Sequence, residues 1–365
     1  MKQIHIGVLI PSSTILPIGK DYEKGLKEGL SNFPELDFEI TKEFIGQGGH
    51  VKTEDAITKL ITYDDVDLIT GVVSGYSAES MKEKFNITKK PFLVSNLGEQ
   101  LPLYERLNEY VFFNSYFLWQ HAWALGYQGV KRFGKKGMFV GAVYDGGYSF
   151  SYMFNEGMKA ADPNSEWSFS ITPMPNKGEL SDMNIIFPFI EKYQPDFIFA
   201  AFCGAETTLF LNRFIEEGWH KRIQLVGLPF LLYPFTPLKD DLVCYSTLPT
   251  AHYPSITAKK SFYHLGFLAG FGIAQAAVKV ENWKQLQQQL EVDGAFFNIN
   301  HLPNEKNIKH ETILPVLTKN IITANSEEFT TEILEESKTL SLRDPLIKQL
   351  DPSLQFGWIN PYLAI

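Results

Sequence analysis

The run Ile4-His5-Ile6-Gly7-Val8-Leu9-Ile10-Pro11 opens the chain and decides its fold class. It is short, rich in β-branched residues and stopped by a proline, the pattern of a strand buried on both faces. Asp21 to Leu30 comes next, with Tyr22, Leu26 and Leu30 at helical spacing, and Phe38–Ile45 is strand-like again. Thr53 to Ile61 carries Ala56, Ile57, Leu60 and Ile61 on one helical face, with Thr53 placed as its cap. Val66–Val73, Ala78–Phe85 and Pro91-Phe92-Leu93-Val94-Ser95 continue as strand, helix and strand. Continuous apolar strands joined by amphipathic helices predict a parallel sheet covered on both faces.

After a ring-rich stretch, Val111 to Val130, the alternation restarts. Gly137–Tyr144, Trp167–Thr172, Asp196–Phe202 and Ile223–Gly227 read as strands; Ser149–Ala161, Ile185–Lys192 and Thr207–Glu217 read as helices. This repeated alternation predicts two similar α/β lobes rather than one long sheet. Ser261 to Val280 is a long apolar helix with Gly266, Ala269 and Gly270 on a small-residue face, suited to packing inside a lobe. His264, Gln275 and its glycines make it poor as a membrane span. Trp283–Leu290 reads as a helix, Asn298–Asn307 as a loop, Ile313–Leu317 as a strand and Glu327–Leu340 as an acidic helix. Leu342–Ile365 reads as a tail.

The 365 residues hold 33 Lys+Arg and 42 Asp+Glu, a net charge of −9, with no long basic run. That leaves no footprint for nucleic acid or for an anionic membrane surface. The 29 Phe, 16 Tyr and 6 Trp exceed ordinary use and predict rings lining an apolar cleft as well as the core. Cys203 and Cys244 are too few for a disulfide framework; they read as two half-buried thiols, with a single bridge between them the open alternative. Phosphate loops, paired metal-binding histidines and a nucleophile elbow are all missing from the sequence, so neither catalysis nor a cofactor is expected. The first residues lack the basic-then-apolar leader of an exported protein. The chain is expected to be periplasmic if a leader precedes it in nature, and cytoplasmic otherwise.

Ligands of open parallel sheets sit beyond the carboxyl ends of the strands, where loops enter helices. In the first lobe those loops are Pro11-Ser12-Ser13-Thr14, Ser74-Gly75-Tyr76-Ser77 and Ser95-Asn96-Leu97-Gly98. Their hydroxyls and free N–H groups suit a carboxylate or similar acceptor, although the same residues are ordinary helix caps. In the second lobe they are Asp145-Gly146-Gly147-Tyr148, Phe202-Cys203-Gly204-Ala205-Glu206 and Leu228-Pro229-Phe230. Hydroxyls facing rings fit a small ligand with a polar head and an apolar body.

This order of elements resembles the type I periplasmic binding proteins. The motifs that carry it are Ile6–Ser13, Leu68–Ser74, Pro91–Asn96, Val143–Tyr148 and Pro195–Phe199, and the nearest branch binds leucine, isoleucine, valine or aliphatic amides. The resemblance implies two Rossmann-like lobes with parallel sheets, three crossovers, and a ligand held between the lobes without chemistry. It implies an N-terminal lobe of residues 1–119 plus 248–308, a C-terminal lobe of 120–247 plus 309–345, and a tail of 346–365. It places Ser74, Gly75, Tyr76, Ser95 and Asn96 on the ligand carboxylate, Tyr148 as a lid, and Phe202 or Cys203 as a wall. Ser12, Glu206 and Phe230 complete the expected set. Amino-acid binders hold the ammonium with an acid after the next strand, where this chain reads Gly227-Leu228-Pro229-Phe230; Glu206 or Asp145 is the candidate substitute. The implied partner is an ABC permease for an exported chain, and the alternative is a cytosolic amide-type sensor.

Overall fold

The computed structural model describes residues 3–12, 17–101, 110–176, 178–248, 260–280 and 315–336. The first part runs β1 (Gln3–Ile10), α1 (Ile18–Leu30), β2 (Asp37–Phe44), α2 (His50–Thr62), β3 (Leu68–Val72), α3 (Gly75–Ser80), α4 (Lys82–Thr88), β4 (Phe92–Asn96) and β5 (Val111–Ser115). These strands form one sheet in the order β2-β1-β3-β4-β5, every described pair parallel. The chain continues through α5 (Leu118–Arg132), β6 (Lys136–Gly141), α6 (Val143–Gly146), α7 (Phe150–Ala161), β7 (Glu166–Ile171), α8 (Phe187–Tyr193), β8 (Phe197–Ala201) and α9 (Ala205–Glu216). It ends in β9 (Gln224–Gly227), β10 (Leu242–Leu248), α10 (Ser261–Val278), β11 (Val316–Ile322) and β12 (Phe329–Glu336). The second sheet has the order β12-β11-β10-β9-β8-β6-β7.

Two α/β lobes are therefore present. The second sheet departs from the expectation of parallel sheets alone, because β11 pairs antiparallel with both β10 and β12. The predicted acidic helix at Glu327–Leu340 is instead β12 over its described part. Its Thr-Thr pair and Ile333 suit a strand, the Thr331 hydroxyl bonds Asn320 Oδ1 at 2.8 Å, and Phe329 meets Tyr233 edge to face. Its exposed Glu332 blunts a sheet edge that would otherwise recruit other strands. Three smaller expectations also shift. Thr53 lies inside α2, its hydroxyl donating to the Gly49 carbonyl at 2.9 Å, and Gly49 is the cap. The helix expected at Ala78–Phe85 breaks at Met81 into α3 and α4. The end of the strand expected at Gly137–Tyr144 is the short turn α6. The expectations at Trp283–Leu290, Asn298–Asn307 and Leu342–Ile365 lie outside the described residues.

Each lobe is covered by a pair of helices whose backbones touch through glycine. In the first lobe α1 lies on α10. A Cβ at Gly25 would sit 1.9 Å from the Tyr263 carbonyl oxygen, and one at Gly266 2.1 Å from that of Tyr22. Gly29 and Gly270 repeat the contact one turn on, at 2.3 and 2.2 Å. Thus α10, which comes after β10 of the second sheet in sequence, returns to the first lobe; Asn114 there donates to the Leu265 carbonyl at 2.7 Å. It is also the one helix among the described residues long and apolar enough to cross a membrane, and most of it is buried against its own lobe. In the second lobe α5 meets α7 in the same way through Gly126 and Gly157. One core runs from the first sheet through α5 and α7 to one face of the second sheet, and a second cluster covers the opposite face.

Gly25→Ala forces backbone against backbone, so the α1–α10 pair must separate. The variant is expected to lose about 1–3 kcal/mol of unfolding free energy, read from urea denaturation; an unchanged midpoint would show that the close approach is not needed.

Candidate functional site

The carboxyl ends of the two sheets face one cleft. Its empty space is about 530 Å³, including its open mouth. The second lobe supplies most of the wall: Asp145 and Tyr148 from the turn after β6, Phe150 opening α7, Ala200 to Cys203 closing β8, and Leu228, Phe230 and Leu231 after β9. Leu97 and Leu118 supply the first-lobe side. They meet because the loop after β4 is bonded to the start of α5: Leu118 N donates to the Leu97 carbonyl and Trp119 N to that of Gly98, both at 2.9 Å. Gly98 has φ +73°, and a Cβ there would lie 2.3 Å from Phe117 Cα, so this turn requires glycine.

Beyond Gly98 the same loop reaches the second lobe. Ser149 N donates to the Glu99 carbonyl at 3.0 Å, and Leu101 N donates to Ser149 Oγ at 3.1 Å. Ser149 thus joins the helix after the Tyr148 turn to the first-lobe loop that carries Leu97.

The expected site residues divide into three groups. Tyr148, Phe202, Cys203 and Phe230 come together as cleft wall, Phe202 being backed by Phe210 at 4.6 Å between ring centres. Glu206 is nine-tenths buried just behind them, its Oε1 accepting from Ser181 N at 2.9 Å. Gly75 and Asn96 lie instead at a smaller cavity of about 310 Å³ beside Phe113 and Phe117. There Asn96 is a brace: its Nδ2 donates to the Val73 carbonyl and its Oδ1 accepts from Gly98 N.

The other four are placed away from the cleft wall. Ser95 is fully buried inside the first lobe, its hydroxyl 3.0 Å from Tyr22 Oη and accepting from Asn114 Nδ2. Tyr22 Oη also bonds Thr70, and burial raises that phenol to about 12. Ser74 is equally buried and caps α3, accepting from Ser77 N. Both hydroxyls are therefore committed, for the reason that made them ambiguous in sequence: a strand-end serine can serve a ligand or its own backbone. Tyr76 is exposed, and Ser12 sits exposed after β1 with its N–H on the Gly46 carbonyl.

Sequence reasoning missed Leu97, Leu118, Phe150 and Ser149. Phe150 was within reach as the neighbour of Tyr148. Leu97 lies in the loop singled out after β4, but its meeting with Leu118 comes only from the fold, through the bond from Leu118 N to the Leu97 carbonyl.

Electrostatically the cleft wall is acidic. Burial raises the Asp145 carboxyl to about 7, and nearby Glu206 adds to the rise, against hydrogen bonds from Cys203 that favour the charged form. Burial likewise pushes the Cys203 thiol up, with Asp145 and Glu206 adding to it, so the sulfur stays protonated and a weak nucleophile.

Solved structures with the same architecture cover nearly all of this chain. An ABC transporter substrate-binding protein from Sphaerobacter thermophilus superposes with a TM-score of 0.69 at 18 % identity, over 93 % of this chain and 98 % of its own. The chain has the fold of the type I periplasmic binding proteins. An R. palustris solute-binding protein in complex with benzoate matches with a TM-score of 0.64 at 18 % identity, over 93 % of this chain and 99 % of its own. A leucine-binding protein from Thermotoga maritima matches at 0.62 and 13 % identity, over 91 % and 99 %. No protein-family model and no curated protein sequence matches the chain.

Two outcomes test this geometry. Ser149→Ala removes the hydroxyl that accepts from Leu101 N; amide exchange at Leu101 should speed up more than exchange in β3, and equal rates would show that this bond does not hold the loop. Separately, an acid whose folded pKa is raised stabilises the fold below its unfolded value and loses that contribution as pH rises through the folded one. Ligand-free protein should therefore lose stability between about pH 4, the carboxylate reference, and about pH 7. Asp145→Asn should flatten that stretch of the melting-temperature profile, and an unaltered slope would assign it elsewhere.

Proposed function

We propose that this protein is a solute receptor of an ABC-type uptake system, taking one small molecule into the cleft and releasing it unchanged to a permease. The observation that carries the reading is the apolar cleft itself, lined by second-lobe rings and by Leu97 and Leu118 of the first lobe. The neighbours support it: two are substrate- or solute-binding proteins of ABC transporters, one of them in complex with benzoate, and the third is a leucine-binding protein.

In this proposal the N-terminal lobe takes residues 1–119 plus 248–308 and the C-terminal lobe 120–247 plus 309–345. Ligand bridging the lobes stabilises the closed form by its differential affinity, and the closed surface is what a permease reads. Tyr148, Phe202 and Phe230 grip the apolar body, Leu97 and Leu118 close over it, and the proposed compartment is the periplasm.

A ligand that binds only the folded state raises its stability by about 2.7 kcal/mol at one hundred times Kd. A thermal-shift screen of small carboxylates, amino acids, amides and amines should therefore find stabilising compounds for the native chain. Ala201→Trp, which fills the cleft, should abolish every hit; hits that survive the tryptophan would place the solute elsewhere.

A further inference from the structure

The polar groups of the cleft point to a narrower solute class. Asp145 lines the cleft, and its Oδ2 is sealed from solvent and accepts no hydrogen bond. Glu206 stands close enough for its charge to act on both Asp145 and Cys203, and Ser181 N fixes one of its oxygens. Among the described residues no lysine, arginine or histidine lines the cleft, and none contributes to the electrostatics of Asp145. Two buried carboxyls side by side with no cation is a costly arrangement unless something positive arrives. The same wall carries Tyr148, Phe150, Phe202 and Phe230, whose ring faces attract an ammonium and an apolar body alike. On the opposite lobe the Ser74 and Ser95 hydroxyls, the donors a carboxylate would need, are buried in other bonds.

We infer that the solute is a small organic amine bearing an aryl or branched alkyl body and no carboxylate, its ammonium seated on Asp145 with Glu206 behind it. This rests on the cleft being the solute site. The ammonium supplies the donors that Asp145 Oδ2 lacks, and its charge offsets the repulsion between the two carboxyls. A carboxylate in the same place would add a third negative group. Asp145 is the contact residue, and Glu206 positions it electrostatically. The titratable groups facing Asp145 are Cys203 and Glu206, with Tyr144 and Tyr148 on its own turn. Since Asp145 titrates near 7, it is about one-tenth ionised at pH 6 and nine-tenths at pH 8, while an alkylammonium, like lysine at about 10.4, stays charged throughout.

The test is titration calorimetry on the full chain with phenethylamine, phenylacetate and phenylacetamide, at pH 6 and pH 8. Phenethylamine should bind alone of the three, roughly ninefold tighter at pH 8 than at pH 6. Asp145→Asn should weaken it at least tenfold at pH 8 and remove the pH dependence. Glu206→Gln, a second variant in case the first is unstable, should retain binding and move the midpoint of the pH profile downward. Binding of phenylacetate or phenylacetamide with phenethylamine silent would overturn the amine assignment and leave the solute-receptor reading standing. Phenethylamine binding with no pH dependence, or undiminished in a folded Asp145→Asn, would also overturn it. Silence of all three probes would overturn the amine assignment, and an empty thermal-shift screen beside it would remove the receptor reading as well.

Discussion

A parallel sheet satisfies its backbone along its length and leaves its chemistry at one edge, where each strand turns into a helix. Here two such edges face each other, and the loop after β4 is one described tie between them. Gly98 lets that loop turn under Phe117, the Leu97 and Gly98 carbonyls take the first amides of α5, and residues 99 and 101 bond Ser149. Part of the cleft wall and a join between the lobes thus lie in one short segment. On the proposed reading, a shift in that loop moves both together and couples solute capture to lobe closure.

Rigid lobes are the complement of such a hinge. Helices α1 and α10 pack at backbone contact through four glycines, and α5 and α7 through two more. Interfaces of that kind leave little room for the paired helices to slide. The buried Tyr22, Thr70, Ser95 and Asn114 network adds directional bonds inside the first lobe. Polar groups that sequence offers to a ligand serve there to lock the scaffold.

Most of the architecture was legible in the chain. Ile4–Ile10 and its successors are too apolar, too short and too regularly spaced by amphipathic helices for another class of fold. The failures have definite causes. Phe329–Glu336 mixes acidic and apolar residues at a spacing either structure accepts, and pairing with β11 decides it. Ser95 ends a strand as a binding residue would, yet the two-residue alternation of strands turns it inward toward Tyr22. Ser74 caps its helix. The loops after β6, β8 and β9 do come together as one wall, because their rings and carboxyls stand at a single sheet edge. Leu97 sits in a loop the sequence singles out, but its pairing with Leu118 exists only once the loop after β4 is folded onto α5.

The most direct trial of the cleft as an amine site is a crystal structure of the protein grown with phenethylamine. Density for the ring is expected between Tyr148, Phe202 and Phe230, with the nitrogen within hydrogen-bond distance of Asp145 and with Leu97 and Leu118 covering the far side. Density against the exposed Ser12 and Tyr76, or a cleft empty at saturating amine, would contradict it.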